Sequence, residues 1–196
     1  MSTEGADYTA RLKRLSSQGW KTRVDVQLPY RWNLRRLTPG RVLDVGCGLG
    51  RNLLHLGGNG VGIDHNPSSV EAARAAGLTA YLPEDFHQSL HARPHGYDAL
   101  LLAHVLEHVD AQAADDLMTD YLPFIRPGGR VILITPQERG FATDATHVRW
   151  VDAERSQQHL LAHGLLLDRH YSFPFPRAAG KVFPYNEFVV TGRLTR

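Results

Sequence analysis

The feature that most constrains this chain is the run Val42-Leu43-Asp44-Val45-Gly46-Cys47-Gly48-Leu49-Gly50. A short apolar strand runs into closely spaced glycines, and a helical segment begins at Asn52. Glycine lets the backbone turn tightly and approach a ligand with no Cβ in the way. The helix that follows presents free N–H groups. A strand, a glycine turn and a helix in that order open a βαβ unit.

The text downstream repeats the alternation. Strands are expected at Arg41–Val45, Gly60–Asp64, Thr79–Leu82, Tyr97–Ala103 and Arg130–Thr135, the last entered through the turn Pro127-Gly128-Gly129. Helices are expected at Asn52–Leu56, Pro67–Ala76 and Ala111–Tyr121. Apolar strands without polar alternation are buried on both faces, as in a parallel sheet. Beyond Thr135 come a helix at Glu154–His163 and strands at Leu165–Tyr171 and Phe188–Leu194. Ahead of the core, Tyr8–Gly19 reads as an amphipathic helix, Leu28–Asn33 as an aromatic connector and Thr38–Gly40 as a turn. A length of 196 residues fits one domain. We divide it into an N-terminal helix and connector (1–40), a ligand-binding core (41–135) and a loop, helix and strands on the far side (136–196).

The glycine spacing excludes a dinucleotide fingerprint. Gly46 and Gly48 fit G-x-G-x-x-G, but the sixth position is Arg51 and the third glycine comes early, at Gly50. Asp44 stands two places before the first glycine, where a carboxylate repels a pyrophosphate and suits a cation. Asp64 ends the second strand, the place of an acceptor for a ribose diol. The ligand is therefore expected to be a nucleoside with a cationic tail and no phosphates, and S-adenosylmethionine is such a molecule.

At this point the sequence resembles the class I S-adenosylmethionine-dependent methyltransferases. The resemblance covers roughly Arg41 to Thr135. It rests on Val42–Gly50, Gly62-Ile63-Asp64, Tyr97-Asp98, Ala103-His104-Val105-Leu106-Glu107-His108-Val109 and Arg126-Pro127-Gly128-Gly129-Arg130. It implies a Rossmann-like α/β fold: a doubly wound, mostly parallel seven-stranded sheet with helices on both faces and the last strand antiparallel. It implies a cofactor, S-adenosyl-L-methionine, released as S-adenosyl-L-homocysteine. Asp44 would hold the ligand's ammonium, and Gly46, Cys47, Gly48 and Gly50 would line the loop. Asp64 would take the ribose hydroxyls and His65 would flank the adenine. Asp85 is assigned to the adenine amino group, with Glu84 as the competing choice, and Phe86 to the adenine ring. The backbone of Ala103 and the side chain of His104 would border the methionine end.

The acceptor side is read from its loops. Asp144 and His147 stand close together after the fifth strand, which makes His147 the first candidate for a general base and His104 the second. Arg139 and Arg149 in that loop, and Arg177, Lys181 and Tyr185 in the aromatic segment Phe173–Glu187, are candidate substrate contacts, as are Arg31 and Trp32. Charge supports an anionic acceptor. Residues 1–41 carry nine Lys and Arg against three Asp and Glu, and residues 169–196 carry five against one. Two basic ends thus flank an acidic centre. His104-Val105-Leu106-Glu107-His108 also spells H-x-x-E-H. That zinc signature needs a long helix, and here it follows a buried strand, so no metal is expected. His87, His91 and His95 stand four apart, but Pro94 and Gly96 break the helix that would align them.

The expectation is an enzyme that methylates a small acceptor, either anionic or hydroxyl-bearing. Two alternatives stay open: a nucleic-acid methyltransferase, disfavoured because no D/N-P-P-[YFW] text is present, and a silent S-adenosylmethionine-binding partner protein. A lone cysteine, no apolar run of membrane length and no apolar signal core point to the cytoplasm and away from a membrane. Monomer and homodimer both remain open.

Overall fold

The computed structural model describes residues 26–38 and 40–195, and the helix expected at Tyr8–Gly19 lies outside the described residues. Seven strands form one sheet: β1 Val42–Val45, β2 Gly60–Ile63, β3 Ala80–Tyr81, β4 Tyr97–Ala103, β5 Ile125–Pro136, β6 Leu166–Phe173 and β7 Glu187–Arg193. Their order is β3-β2-β1-β4-β5-β7-β6. Strands β1 to β5 pair in parallel, and β7 runs antiparallel between β5 and β6.

The helices are α1 Leu28–Leu37, α2 Arg51–His55, α3 Pro67–Ala75, α4 Pro83–His87, α5 Ala111–Tyr121, α6 Glu138–Phe141 and α7 Ala153–Ala162. They cover both faces of the sheet. On β4, Leu100 and Leu102 join the core under Met118 of α5 and Leu160 of α7. Ala99, Leu101 and Ala103 join the opposite core with Leu34 and Leu37 of α1. Burial on both faces is why these strands carry apolar runs instead of alternation. Each buried leucine contributes about 1.5–3 kcal/mol. Helix starts are fixed locally: Asn66, Asp110 and Asp152 each accept a hydrogen bond from a backbone N–H of the first turn. No helix among the described residues is long and apolar enough to cross a membrane.

Two expectations need correction. The aromatic connector Leu28–Asn33 is the first half of α1. Pro29 falls in the first turn, where its missing N–H costs nothing, and Leu34 and Leu37 supply the buried side. The helix ends at Thr38, whose backbone N–H and hydroxyl both donate to the Leu34 carbonyl. The turn Pro127-Gly128-Gly129 lies inside β5 as a bulge: Ile125 pairs with Tyr97, the register shifts, and Arg130 pairs with Ala99. Gly128 supplies the left-handed residue, at φ +72°.

Candidate active site

Strands β1 and β4 are neighbours although β2 and β3 lie between them in sequence. The chain order reverses there, which opens a crevice at the carboxyl edge of the sheet. The glycine loop fills its rim. Gly46 sits at φ +76°, and a Cβ on it would lie 2.3 Å from Val105 Cγ2. The loop packs directly on the segment that leaves β4.

The amides of this loop are already taken. Gly46 and Cys47 donate to the Ile63 carbonyl at 2.8 and 3.0 Å, Gly50 donates to the Cys47 carbonyl, and Gly48 donates to Asp64 Oδ2 at 2.8 Å. A phosphate would find none of these four N–H groups open. Asp44 is completely buried, and neither carboxylate oxygen has a hydrogen-bond partner. Burial pushes its carboxyl up to about 7, against the opposing pull of Asn52 and Arg51. A buried acid of this kind fits a cationic group and disfavours an anionic one. Asp64 is ordered for its part: Oδ1 accepts from the Asn66 N–H at 2.9 Å. His65 is half exposed beside it, with Nδ1 3.8 Å from Asp64 Oδ1.

The other cofactor-side candidates separate. Cys47 is buried, and burial pushes its thiol far up, so it is a small packing residue with no thiolate character. Glu84 and Asp85 lie in the first turn of α4, just past β3. Phe86 is fully buried among Tyr97, Tyr121 and Phe124, with a ring centroid 5.0 Å from that of Phe124. Its ring faces are used by the core, so it does not present one to an adenine. Ala103 closes β4 at the edge of the crevice.

His104 departs from expectation in charge. Its backbone is left-handed, at φ +59°, a conformation that costs energy in a non-glycine residue and marks a constrained position. The ring lies between two carboxylates, with Nδ1 3.2 Å from Glu107 Oε1 and Nε2 2.9 Å from Glu187 Oε1. Burial alone would lower its pKa, but hydrogen bonds to Glu107 and Glu187 outweigh that and push it up to about 10. With both ring nitrogens donating, His104 is an imidazolium at neutral pH and does not serve as a general base. Glu187 had no signal in the sequence. It arrives because β7 runs antiparallel beside β5, pairing Glu187 with Pro136 at the carboxyl edge.

His147 stands apart from Asp144 in function. Its Nδ1 is 2.8 Å from the Phe141 carbonyl, and its ring stacks on Phe141. Asp144 Oδ1 accepts from the backbone N–H and hydroxyl of Thr146. The orienting group for the imidazole is thus a backbone carbonyl. The H-x-x-E-H run forms a turn, and its two histidines look different ways: His108 Nδ1 meets Thr146. His87, His91 and His95 likewise find separate partners in Tyr121, Arg41 and the Ile125 carbonyl.

The proposed substrate contacts are divided. Arg149 donates to the Leu106 carbonyl, and Arg177 pairs with Glu138 while its guanidinium lies 4.8 Å over the Phe188 ring. Both are structural ties. Arg139, Lys181 and Tyr185 are exposed. Trp32 is exposed with the Arg36 guanidinium 4.7 Å over its ring, and Arg31 is half-buried one position earlier on α1. Tyr30, beside them, donates its hydroxyl to the Tyr185 carbonyl at 2.8 Å and packs edge-on to Phe173. Glu187 and Arg51 are its electrostatic neighbours. Helix α1 therefore bridges from the glycine-loop helix to the β6–β7 loop.

A switch-point crevice, a glycine loop with saturated amides and a buried acid without a partner define the class I methyltransferase architecture. The chain belongs to the methyltransferase-domain family, whose profile matches residues 18–182. Ubiquinone biosynthesis O-methyltransferases of Xylella fastidiosa (strain M23) and Xanthomonas oryzae pv. oryzae (strain PXO99A) are 32% and 33% identical to it over 118 residues. That match covers 56% of this chain and 47% of the Xylella protein, so the chain spans about half the length of the curated relatives it matches. Among solved structures, magnesium protoporphyrin IX methyltransferase from Synechocystis PCC 6803, which has bound SAH, superposes with a TM-score of 0.68 at 15% identity, covering 98% of this chain and 97% of that one. A methyltransferase of Haloferax volcanii in complex with its Trm112 activator gives 0.67 at 17% identity, covering 97% of each chain.

Proposed function

We propose that this chain transfers a methyl group from S-adenosylmethionine to a hydroxyl of a small acceptor. The observation that carries the donor is Asp44, fully buried and without a partner next to a loop whose amides are closed to phosphate. Asp44 meets the donor's ammonium, Asp64 its ribose hydroxyls, and Ala103 with His104 its methionine end. His65 and Asp85 flank the adenine. The donor supplies the methyl on a sulfonium, and the protein aligns the acceptor with it and excludes water.

A hydroxyl acceptor is favoured over a carboxylate or phosphate for two reasons. Of the basic residues offered for an anion, Arg149 and Arg177 are tied to Leu106 and Glu138, which leaves Arg139 and Lys181 exposed. The relatives named above are O-methyltransferases by name, which favours an oxygen acceptor. The proton of the hydroxyl leaves at His147, whose Nδ1 is fixed by Phe141 so that Nε2 points away as the acceptor. Tyr30, Arg31 and Trp32 of α1 close the acceptor side. Calorimetric titration with S-adenosylmethionine, S-adenosylhomocysteine and NAD tests the donor: both sulfur nucleosides bind and NAD does not. A screen of phenolic against purely acidic acceptors then tests the hydroxyl. His147→Ala is expected to cut turnover while sparing donor binding, and an unchanged rate removes it from the mechanism.

A further inference from the structure

Helix α7 and its C-cap carry His159 and His163, four positions apart and so on one face. Asp115 of α5 stands across from them. The three side chains bring one ligand atom each to within 4.8 Å of one another. Asp115 Oδ1 lies 3.3 Å from His159 Nδ1 and 3.8 Å from His163 Nε2. The side chains of His159 and His163 are only 11% and 16% exposed, whereas that of Asp115 is 53% exposed and opens the cluster to solvent. None of these residues belongs to the crevice.

The hydrogens of the cluster are used elsewhere or unused. His163 Nδ1 lies 2.9 Å from the His159 carbonyl, which can only accept, so Nδ1 holds the ring hydrogen and Nε2 faces Asp115 as a lone pair. Asp115 acts on His159 through charge, without a hydrogen bond. Burial, with the charges of His163 and Arg149, pushes the His159 pKa down and keeps that ring neutral at neutral pH. Arg149 itself is turned to the Leu106 carbonyl. Helix α5 carries Asp115, Asp116 and Asp120 and no basic residue, so the field at the cluster favours a cation.

We infer that Asp115, His159 and His163 bind a divalent transition ion of the zinc class, which clasps α5 to α7. Two imidazoles and one carboxylate are a zinc donor set that leaves a fourth position for water. Two histidines four apart on a helix are a recurrent way to present the nitrogens. The His159 carbonyl behind His163 is the usual outer partner of a metal-bound imidazole. Tetrahedral ligands around zinc lie about 3.4 Å apart. The His159–Asp115 pair is already at that separation, and a small rotation of the half-exposed Asp115 closes the other. The ion is structural: it ties two helices over the core that Met118 and Leu160 share, and no step of methyl transfer passes through it.

The test titrates the untagged, metal-stripped chain with zinc and with cobalt, read by calorimetry, by the visible absorption of bound cobalt and by thermal unfolding. Binding to the folded chain should raise Tm. Asp115→Asn, at a half-exposed position that the fold tolerates, and His163→Ala should each weaken binding by about a hundredfold or more, beyond the roughly 10–100-fold scale of outer partners. Both should abolish the rise in Tm. His147→Ala, which removes a member of the other candidate set, Glu107, His108 and His147, should leave binding and the rise in Tm unchanged. No ion bound by the folded wild-type chain overturns the inference. So does undiminished binding in Asp115→Asn or His163→Ala, and so does loss of the ion in His147→Ala.

Discussion

The two sides of the crevice are built by different means. On the β1–β2 side, Asp44, Gly46, Gly48 and Asp64 lie at or just past the carboxyl ends of two adjacent strands joined by one short helix, and backbone hydrogen bonds order the loop and Asp64. On the β4–β7 side, the defining contacts are between side chains far apart in sequence. His104 to Glu187 spans 83 positions and Tyr30 to Tyr185 spans 155. The first side has a buried carboxyl with no hydrogen-bond partner, and the second has an imidazolium held between two carboxylates. The first is thus a socket that a ligand completes, and the second is a frame complete before any ligand arrives.

Four experiments would break or sharpen that contrast. The largest effect belongs to Asp44. An unfolded aspartate titrates near pH 4, whereas Asp44 in the folded chain titrates at about 7. Between those values the folded chain keeps a proton that the unfolded chain has released, so ligand-free stability falls as pH rises through that window. The drop should be of the order of a few kcal/mol. Saturating donor should reduce it, because the ammonium stabilises the ionised acid. Thermal unfolding of wild type and Asp44→Asn across pH reads this, and equal slopes in the two proteins would refute it.

Asp64→Ala comes next. Donor affinity should fall by about 1–3 kcal/mol, the scale of lost hydrogen bonds to a buried group. Calorimetry measures it, and an unchanged affinity removes Asp64 from the ribose. Glu187→Gln probes the other side. It loosens His104 at the donor's methionine end and should weaken donor binding about tenfold, or ~1.4 kcal/mol. An unchanged donor Kd would remove the His104–Glu187 pair from the donor site. The smallest effect is expected for Tyr30→Phe, which loses one neutral hydrogen bond worth about 0.5–1.5 kcal/mol. It should raise the acceptor KM several-fold and leave donor binding alone.

The socket was legible in the sequence and the frame was not. Val42–Gly50 and Asp64 could be read because strand, turn and next strand follow one another, so spacing along the chain equals placement in space. Phe86 misled for the opposite reason. An aromatic just past β3 is well placed for a base by position, but α4 turns it inward against Phe124 and Tyr121. Leu28–Asn33 hid a helix because its one buried residue is the polar Asn33 and the apolar buried side shows only at Leu34 and Leu37. For His147 the spacing pointed to the wrong orienting group. Asp144, three residues away, is turned to Thr146, and a carbonyl in α6 takes its place.

By itself the sequence determined the parallel sheet, its crossovers and a ligand that is cationic and free of phosphate. Those follow from local rules of period, glycine geometry and charge. Only the tertiary structure decided that His104 is an imidazolium, that Arg149 and Arg177 are internal ties, and that Glu107, His108 and His147 share one cluster. The antiparallel insertion of β7 beside β5 brings Glu187 to His104, and the fold of the loop after β5 brings His147 to His108. Whether a side chain is acid, base or ligand depends on the charges that folding places within a few ångströms of it, and linear spacing carries no record of those neighbours.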